Sequence, residues 1–340
     1  MAETAERPGA KLLHRRMRRR AALGSALALI GTASRPAGAQ AEFPTQPVRL
    51  IVPFAPGTGS DVVARLITEA ASAALGRPVV VENRSGAGGA TGTDQGAHAA
   101  ADGHTLVLGT TSTLIVNPLL NPRIQYRFER DFVPVSGLAQ TSFALVTANT
   151  PGAPTSFREL VQRLEAQDAS YGSPGVGTIA QLTSELVLRR AGVSAAHVPY
   201  RGSGQALGDV LGGQVLFASD TLAATLPLVR GGTLRALAVT SAKRLPTLPD
   251  VPTVAESGLP GLVVNAWFGL VAPAATPQAR VERLSRAILD ALGTPGLRSR
   301  FQTLELEGLP LAPAPFAAFI RTDAAFWEDF LRTSNIRIEF

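Results

Sequence analysis

Residues Val48–Arg65 read VRLIVPFAPGTGSDVVAR. The apolar run Val48–Val52 is a strand, Pro53–Gly59 a Pro/Gly turn, and Ser60 and Asp61 open a stretch with helical apolar spacing. A strand, a glycine turn and a helix in that order present bare N–H groups to an anion, because the first N–H groups of a helix have no partner inside it. The turn carries no Lys after its glycines and matches neither G-x-x-x-x-G-K-[ST] nor G-x-G-x-x-G. It reads as an anion cradle without phosphate-specific parts, and as one βα unit of an α/β protein.

Outward from this unit the alternation continues. Strands are expected at Val79–Glu82, Thr105–Leu108, Ala144–Thr147, Ala196–Val198, Val215–Ala218 and Leu234–Val239. Helical stretches fall at Ser60–Ala74, Gly89–Ala99, Ser156–Ala166, Ile179–Ala191, Gly204–Leu211 and Leu222–Arg230. This predicts mostly parallel, doubly wound sheets with ligands at the carboxyl ends of the strands. After Lys243 the pattern changes. Leu245–Pro252 holds three prolines and reads as an extended connection, followed by a strand at Val263–Val271 and helices at Thr276–Leu292 and Pro313–Leu331. The layout expected is one lobe from residues 40–140 and 263–340, a second lobe from residues 141–262, and a small-molecule cleft between them.

The formal charge of +6 invites a nucleic-acid reading that its distribution removes. Eight of the 32 Lys and Arg and two of the 26 acids precede Gln40, which leaves 24 of each sign after it. The basic start reads as a leader: HRRMRRR at His14–Arg20, the apolar run Ala21–Gly31, and an A-x-A site at Ala37–Ala39, with a second at Ala39–Ala41. Residues 1–39 are therefore expected to be a signal peptide, with export to the periplasm and arginine pairs compatible with the twin-arginine route. The run is too short to span a bilayer. Cysteine is absent, which removes disulfides, thiol catalysis and thiolate metal sites.

Four loops follow expected strands and are rich in Gly, Ser and Thr: Phe54–Asp61, Gly109–Asn117, Gly172–Thr178 and Ser219–Thr221. Small hydroxyls and free N–H groups converging in a cleft suit recognition of a carboxylate by neutral donors. Each loop is equally what a tight βα turn looks like, with Gly supplying φ > 0 and Ser, Thr or Asp capping the next helix. Asp61 fits a first-turn acid as well as a ligand contact, and Asp220 fits either a helix cap or an acceptor for a ligand amine or hydroxyl. Arg201, in PYRGSG, reads as a cleft-facing carboxylate partner or a solvated loop residue. No G-x-S-x-G elbow occurs, and His98, His104 and His197 show no metal-ligand spacing. No motif calls for a catalytic residue, a metal or a cofactor.

These residues also carry a resemblance. The segments FPTQPVRLIVPFAPGTGSDVVAR, RPVVVENRSGAGGATG, AADGHTLVLGTTSTLIVNP, YGSPGVGTIAQL, HVPYRGSGQALGDVLGGQV and LRALAVTSAKRLPTLPDVPTVAESGLPG run in the order found in Bug-type extracytoplasmic solute receptors. Those are the substrate-binding subunits of tripartite tricarboxylate transporters, and the likeness extends from Phe43 to the end. It implies a type II periplasmic-binding fold, with two α/β lobes joined by two crossing strands and closing over a ligand. It implies a small organic carboxylate as ligand, membrane permease subunits as partners and a monomer. Carried over by position, Phe54, Ala55, Gly57, Thr58, Gly59 and Asp61 match the first ligand loop, and Ser173, Gly175, Gly177 and Thr178 the second. Thr111, Ser112, Pro199, Tyr200, Asp220 and Thr221 match positions expected to line the far side.

The chain departs from that pattern at three places. Thr58 stands where a second Gly is common, Ala55 where Pro is frequent, and Gln181 where His is common. A side chain at position 58 is expected to narrow the pocket or donate a hydroxyl. The alternatives to a transport receptor are a ligand-sensing subunit for a membrane kinase and an exported α/β hydrolase.

Overall fold

The computed structural model describes residues 43–334, together with Ala2 and Ile338. The expected leader lies outside the described residues. Among the described residues ten strands form the scaffold: β1 (Val48–Val52), β2 (Val79–Asn83), β3 (Thr105–Thr110), β4 (Phe132–Ala148), β5 (Ser170–Ser173), β6 (Ala196–Pro199), β7 (Phe217–Thr221), β8 (Leu234–Val239), β9 (Asn265–Pro273) and β10 (Glu307–Gly308). Their order is β2-β1-β3-β9-β4-β7-β5-β6, with β8 and β10 also paired to β4. The β2-β1-β3 and β7-β5-β6 ladders are parallel, and β9 and β4 run antiparallel between them.

β4 divides the sheet in two. Its first part pairs with β9 as far as Ser142↔Asn265, and from Phe143↔Thr221 onward it pairs with β7 and β8. The chain returns just before β9, where Val264 N donates to Thr240 O (3.1 Å) and Thr240 Oγ1 donates to Val264 O (2.6 Å). Thr240 Oγ1 also accepts from Phe143 N (2.9 Å). One buried threonine thus fastens both strand crossings.

Buried apolar side chains fill both halves, and one cluster runs through the two. In the first, the helix Gly59–Leu75 buries Val63, Ala64, Ile67 and Ala71 against β1 and the helix Gln278–Gly293, which offers Val281, Leu284, Ile288 and Ala291 at the same spacing. In the second, the helix Ile179–Ala191 buries Leu182, Leu186 and Val187 in a cluster with Tyr171 of β5 and Phe217 of β7, whose rings stack at 5.5 Å. Burying each such aliphatic side chain stabilises by about 1.5–3 kcal/mol before chain entropy is counted. The helix Gly59–Leu75 stops at Gly76, whose φ of 68° is the left-handed cap that ends many helices.

The structure alters several sequence readings. The strand expected at Ala144–Thr147 is the end of a 17-residue strand. The Gly109–Asn117 loop is mostly helical, a π-helical turn at Ser112–Val116 leading into the helix Asn117–Leu120. The strand placed at Val215–Ala218 starts later and runs through Thr221, so Ser219, Asp220 and Thr221 are strand residues and not a loop. A helix at Pro295–Thr303 was absent from the sequence reading.

Candidate functional site

The Val48–Arg65 unit folds as a strand, turn and helix, and its turn is shaped from within. Gly57 has φ +81°, a conformation that costs an L side chain about 1–2 kcal/mol. Thr58 caps the helix: its Oγ1 accepts from Asp61 N (3.3 Å) and donates to Ala55 O (3.0 Å). The Asp61 carboxylate accepts from Gly57 N (3.0 Å), Arg65 Nε (3.1 and 3.0 Å) and Asn83 Nδ2 (2.9 Å). Burial pushes this carboxyl up, but the Arg65, Gly57 and Asn83 donors outweigh it and hold it below the usual carboxylate range.

The turn after β5 repeats the construction. Gly177 has φ +76°, Thr178 Oγ1 accepts from Gln181 N (3.3 Å) and donates to Gly175 O (2.8 Å), and Gln181 Oε1 accepts from Gly177 N (2.8 Å). Both loops consume their capping hydroxyl internally. Of the two roles expected of Thr58, narrowing the pocket or donating a hydroxyl to it, the hydroxyl is spent on the cap, while the residue itself lines a cavity at the helix starts. Gln181 takes the role that Asp61 has in the first loop.

With the caps made this way, the first-turn N–H groups at Gly59, Ser60 and Ala180 are left without partners inside their helices. Gly59, Ser60 and Ala180 all line one small cavity of ≈ 50 Å³. Two further helices start there, Ser203–Leu211 after Gly202 and Leu222–Arg230 after Thr221. Four helix N-termini therefore converge, each carrying a partial positive charge of about half an elementary unit. Phe54, Phe143, Ile179, Ala266 and Phe268 form apolar walls, while Thr110, Ser112, Ser203 and Asp220 add polar groups. None of the lining side chains is Lys, Arg or His. Arg65 is bound to Asp61, Arg84 pairs with Glu82, and Arg201 is exposed outside the cavity.

Of the residues singled out from sequence, Phe54, Thr58, Gly59, Ser112, Thr178, Asp220 and Thr221 line the cavity. Ala55, Gly57 and Asp61 shape the first turn behind it, and Ser173, Gly175 and Gly177 shape the second. Thr111 is buried, with its Oγ1 accepting from Trp267 N (3.4 Å). Pro199 is exposed, and Tyr200 turns away to donate to Asp209 Oδ2 (2.6 Å). Ser60, Ile179 and Ala180 also line the cavity and are not among the ligand residues expected from sequence. They follow the caps directly, and carrying each loop one turn into its helix would have found them.

The halves meet around the cavity. Ile179 N donates to Ser112 Oγ (3.0 Å) across the divide. A Cβ added at Gly59 would lie 2.3 Å from Thr221 Oγ1, and one at Gly202 would lie 2.7 Å from Ala55 Cβ. Ser173 and His197 form a 2.7 Å Oγ···Nε2 pair that looks like half of a hydrolytic dyad. Ser173 is fully buried, its Oγ also accepts from Gly175 N (3.2 Å), and neither residue lines the cavity. Burial pushes His197 down to about 4, so it is neutral at pH 7, and its ring stacks on Tyr171. The pair fastens the Gly175 turn. Among the described residues no group of three His, Cys, Asp or Glu is placed to hold a metal ion, and no helix is long and apolar enough to cross a membrane.

Residues 63–336 match the model of the tripartite tricarboxylate transporter family receptor. BugT of Bordetella pertussis is 36% identical over 300 residues, 87% of this chain and 92% of its own. The periplasmic binding protein BugD superposes with a TM-score of 0.83 at 32% identity, covering 87% of this chain and 99% of that one. A Rhodopseudomonas palustris protein solved with adipate gives 0.83 at 33% identity, with the same coverage. MatC from R. palustris, solved with malate, gives 0.78 at 35%, covering 84% and 99%. The α/β fold is that of a periplasmic binding protein, and the chain belongs to the receptors of the tripartite tricarboxylate transporter family, Bug type.

Proposed function

We propose that this receptor captures a small organic carboxylate at the convergence of the Gly59, Ile179, Ser203 and Leu222 helix starts. One ligand carboxylate sits on the N–H groups of residues 59, 60 and 180, with no cationic side chain in contact. The halves divided near 140/141 and 262/263 act as lobes that close over it. The observation that carries this reading is four helix N-termini around one cavity whose lining has no Lys, Arg or His. Adipate and malate, the ligands named for two of the related structures, are dicarboxylates of the expected kind. Leader removal, release into the periplasm and delivery to permease subunits complete the proposed role.

A thermal-shift screen of di- and tricarboxylates, followed by calorimetry at 20 and 500 mM salt, tests it. Stabilisation by dicarboxylates with affinity nearly independent of salt is expected, because partial charges of fixed dipoles replace a basic patch. A steep salt dependence would transfer the role to an arginine such as Arg201.

A further inference from the structure

Asp220 is anomalous in a cavity built for anions. It is the only ionisable side chain among the lining residues and is 3% exposed. The β7 ladder fixes its main chain opposite Ala144. Its Oδ1 accepts from the next residue twice, from Thr221 N (2.7 Å) and Thr221 Oγ1 (3.3 Å). Its Oδ2 is buried and has no partner at hydrogen-bond geometry, nor has Ser203 Oγ on the same cavity, although the Ser203 hydroxyl lies close enough to favour the ionised carboxylate.

A buried carboxylate oxygen without a donor is destabilising, and more so when charged. Burial pushes the Asp220 carboxyl up to about 6, with the nearby Ser203 hydroxyl and the Thr221 donors opposing without reversing it. Near neutral pH the group is still mostly ionised. It then repels an incoming carboxylate unless a hydrogen-bond donor stands between them. The surrounding helix N-termini serve the ligand's anion, and Asp220 has the opposite preference.

We propose that Asp220 Oδ2, helped by Ser203 Oγ, selects carboxylates that carry a hydrogen-bond donor on their carbon chain, ammonium before hydroxyl. The inference rests on the reading of this cavity as the carboxylate site. A plain dicarboxylate leaves Oδ2 without a partner and adds like charge. A hydroxy acid supplies one donor, and an amino acid supplies a donor with compensating charge.

Calorimetry at pH 7.5 on two matched sets tests the proposal: succinate, malate and aspartate, then glutarate, 2-hydroxyglutarate and glutamate. Within at least one set the amino acid should bind tenfold or more tighter than the unsubstituted acid, with the hydroxy acid between. Asp220→Asn keeps an Oδ1 acceptor for Thr221 N and should compress that ratio below threefold, weakening the amino acid and strengthening the plain acid. Ser203→Ala, which leaves Asp220 intact, should lower the ratio by a smaller factor. An unchanged ranking in Asp220→Asn overturns the selectivity, as does a plain acid that binds most tightly in the wild type. Binding of all the acids without ranking overturns it while leaving the carboxylate site standing. No binding of any acid, from protein whose melting is cooperative, overturns the carboxylate site and the selectivity with it.

Discussion

The turns at residues 55–61 and 175–181 are built to one plan from different residues. Each has a left-handed glycine, a threonine cap and a side chain four residues on that takes the glycine's N–H. They differ in that last group. Asp61 is charged and tied outward to Arg65 and Asn83, whereas Gln181 is neutral and accepts only the bond from Gly177 N. Asp61 therefore joins the first turn to the surface and to β2, while Gln181 reaches inward to the Tyr171 hydroxyl of β5. The geometry needs an acceptor at the fourth position and does not need a charge there. This explains why Gln181, a departure from the family pattern, leaves the turn intact.

Removing the two acceptors should break the likeness most strongly. Asp61→Ala deletes a charged acceptor for three donors and should cost about 3 kcal/mol, whereas Gln181→Ala strands one buried N–H and should cost about 2 kcal/mol. Urea unfolding of both variants measures this. Equal losses would mean that the ties to Arg65 and Asn83 contribute nothing.

Much of this plan was legible in advance. The Val48–Arg65 unit announces itself through a β-branched run, a Pro/Gly turn and a capping residue, and the helices Ile179–Ala191 and Leu222–Arg230 fall where their apolar spacing places them. β4 was legible only at its end. In its first part Pro134, Ser136 and Gly137 interrupt the alternation, and register shifts at Pro134/Ser136 and Gly137/Ala139 move the side chains out of a period of two. The π-helical turn at Ser112–Val116 was unreadable because Thr and Ser next to a strand signal a loop equally well. Cavity membership was half legible. Capping loops are conspicuous in sequence, but the groups they expose are the backbone of the next one or two residues, which no side-chain pattern marks.

The first helical residue sharpens the comparison at a smaller scale. Loop one has Gly59 there and loop three has Ile179. Ile179 is a buried wall, while the Gly59 site meets Thr221 from the other half. Alanine is the better helix former, but its Cβ would lie 2.3 Å from the buried Thr221 Oγ1, so Gly59→Ala should lower thermal stability. Its Cβ would crowd Thr221 Oγ1 where the halves meet, and affinity for the bound acid should fall about tenfold, about 1.4 kcal/mol. The Gly59→Ala/Thr221→Ala double variant should recover most of the loss. Full affinity in the single variant would show that this contact does not accompany binding.

The least effect separates the turns by pH. Asp61 titrates lower in the folded chain than in the unfolded one, so the unfolded state binds more protons between its folded value and the ordinary 3.8. The stabilisation is complete above that ordinary value and is lost as pH falls through the folded one. Gln181 does not titrate, so acid leaves its hydrogen bond to Gly177 intact. Lowering the pH from 5 to 3 should therefore speed amide exchange at Gly57, after correction for the intrinsic rate, more than at Gly177. Exchange that rises equally at both glycines would overturn this, and would trace the second turn's acid sensitivity to His197, which burial holds down to about 4 and whose bond to Ser173 fastens the Gly175 turn.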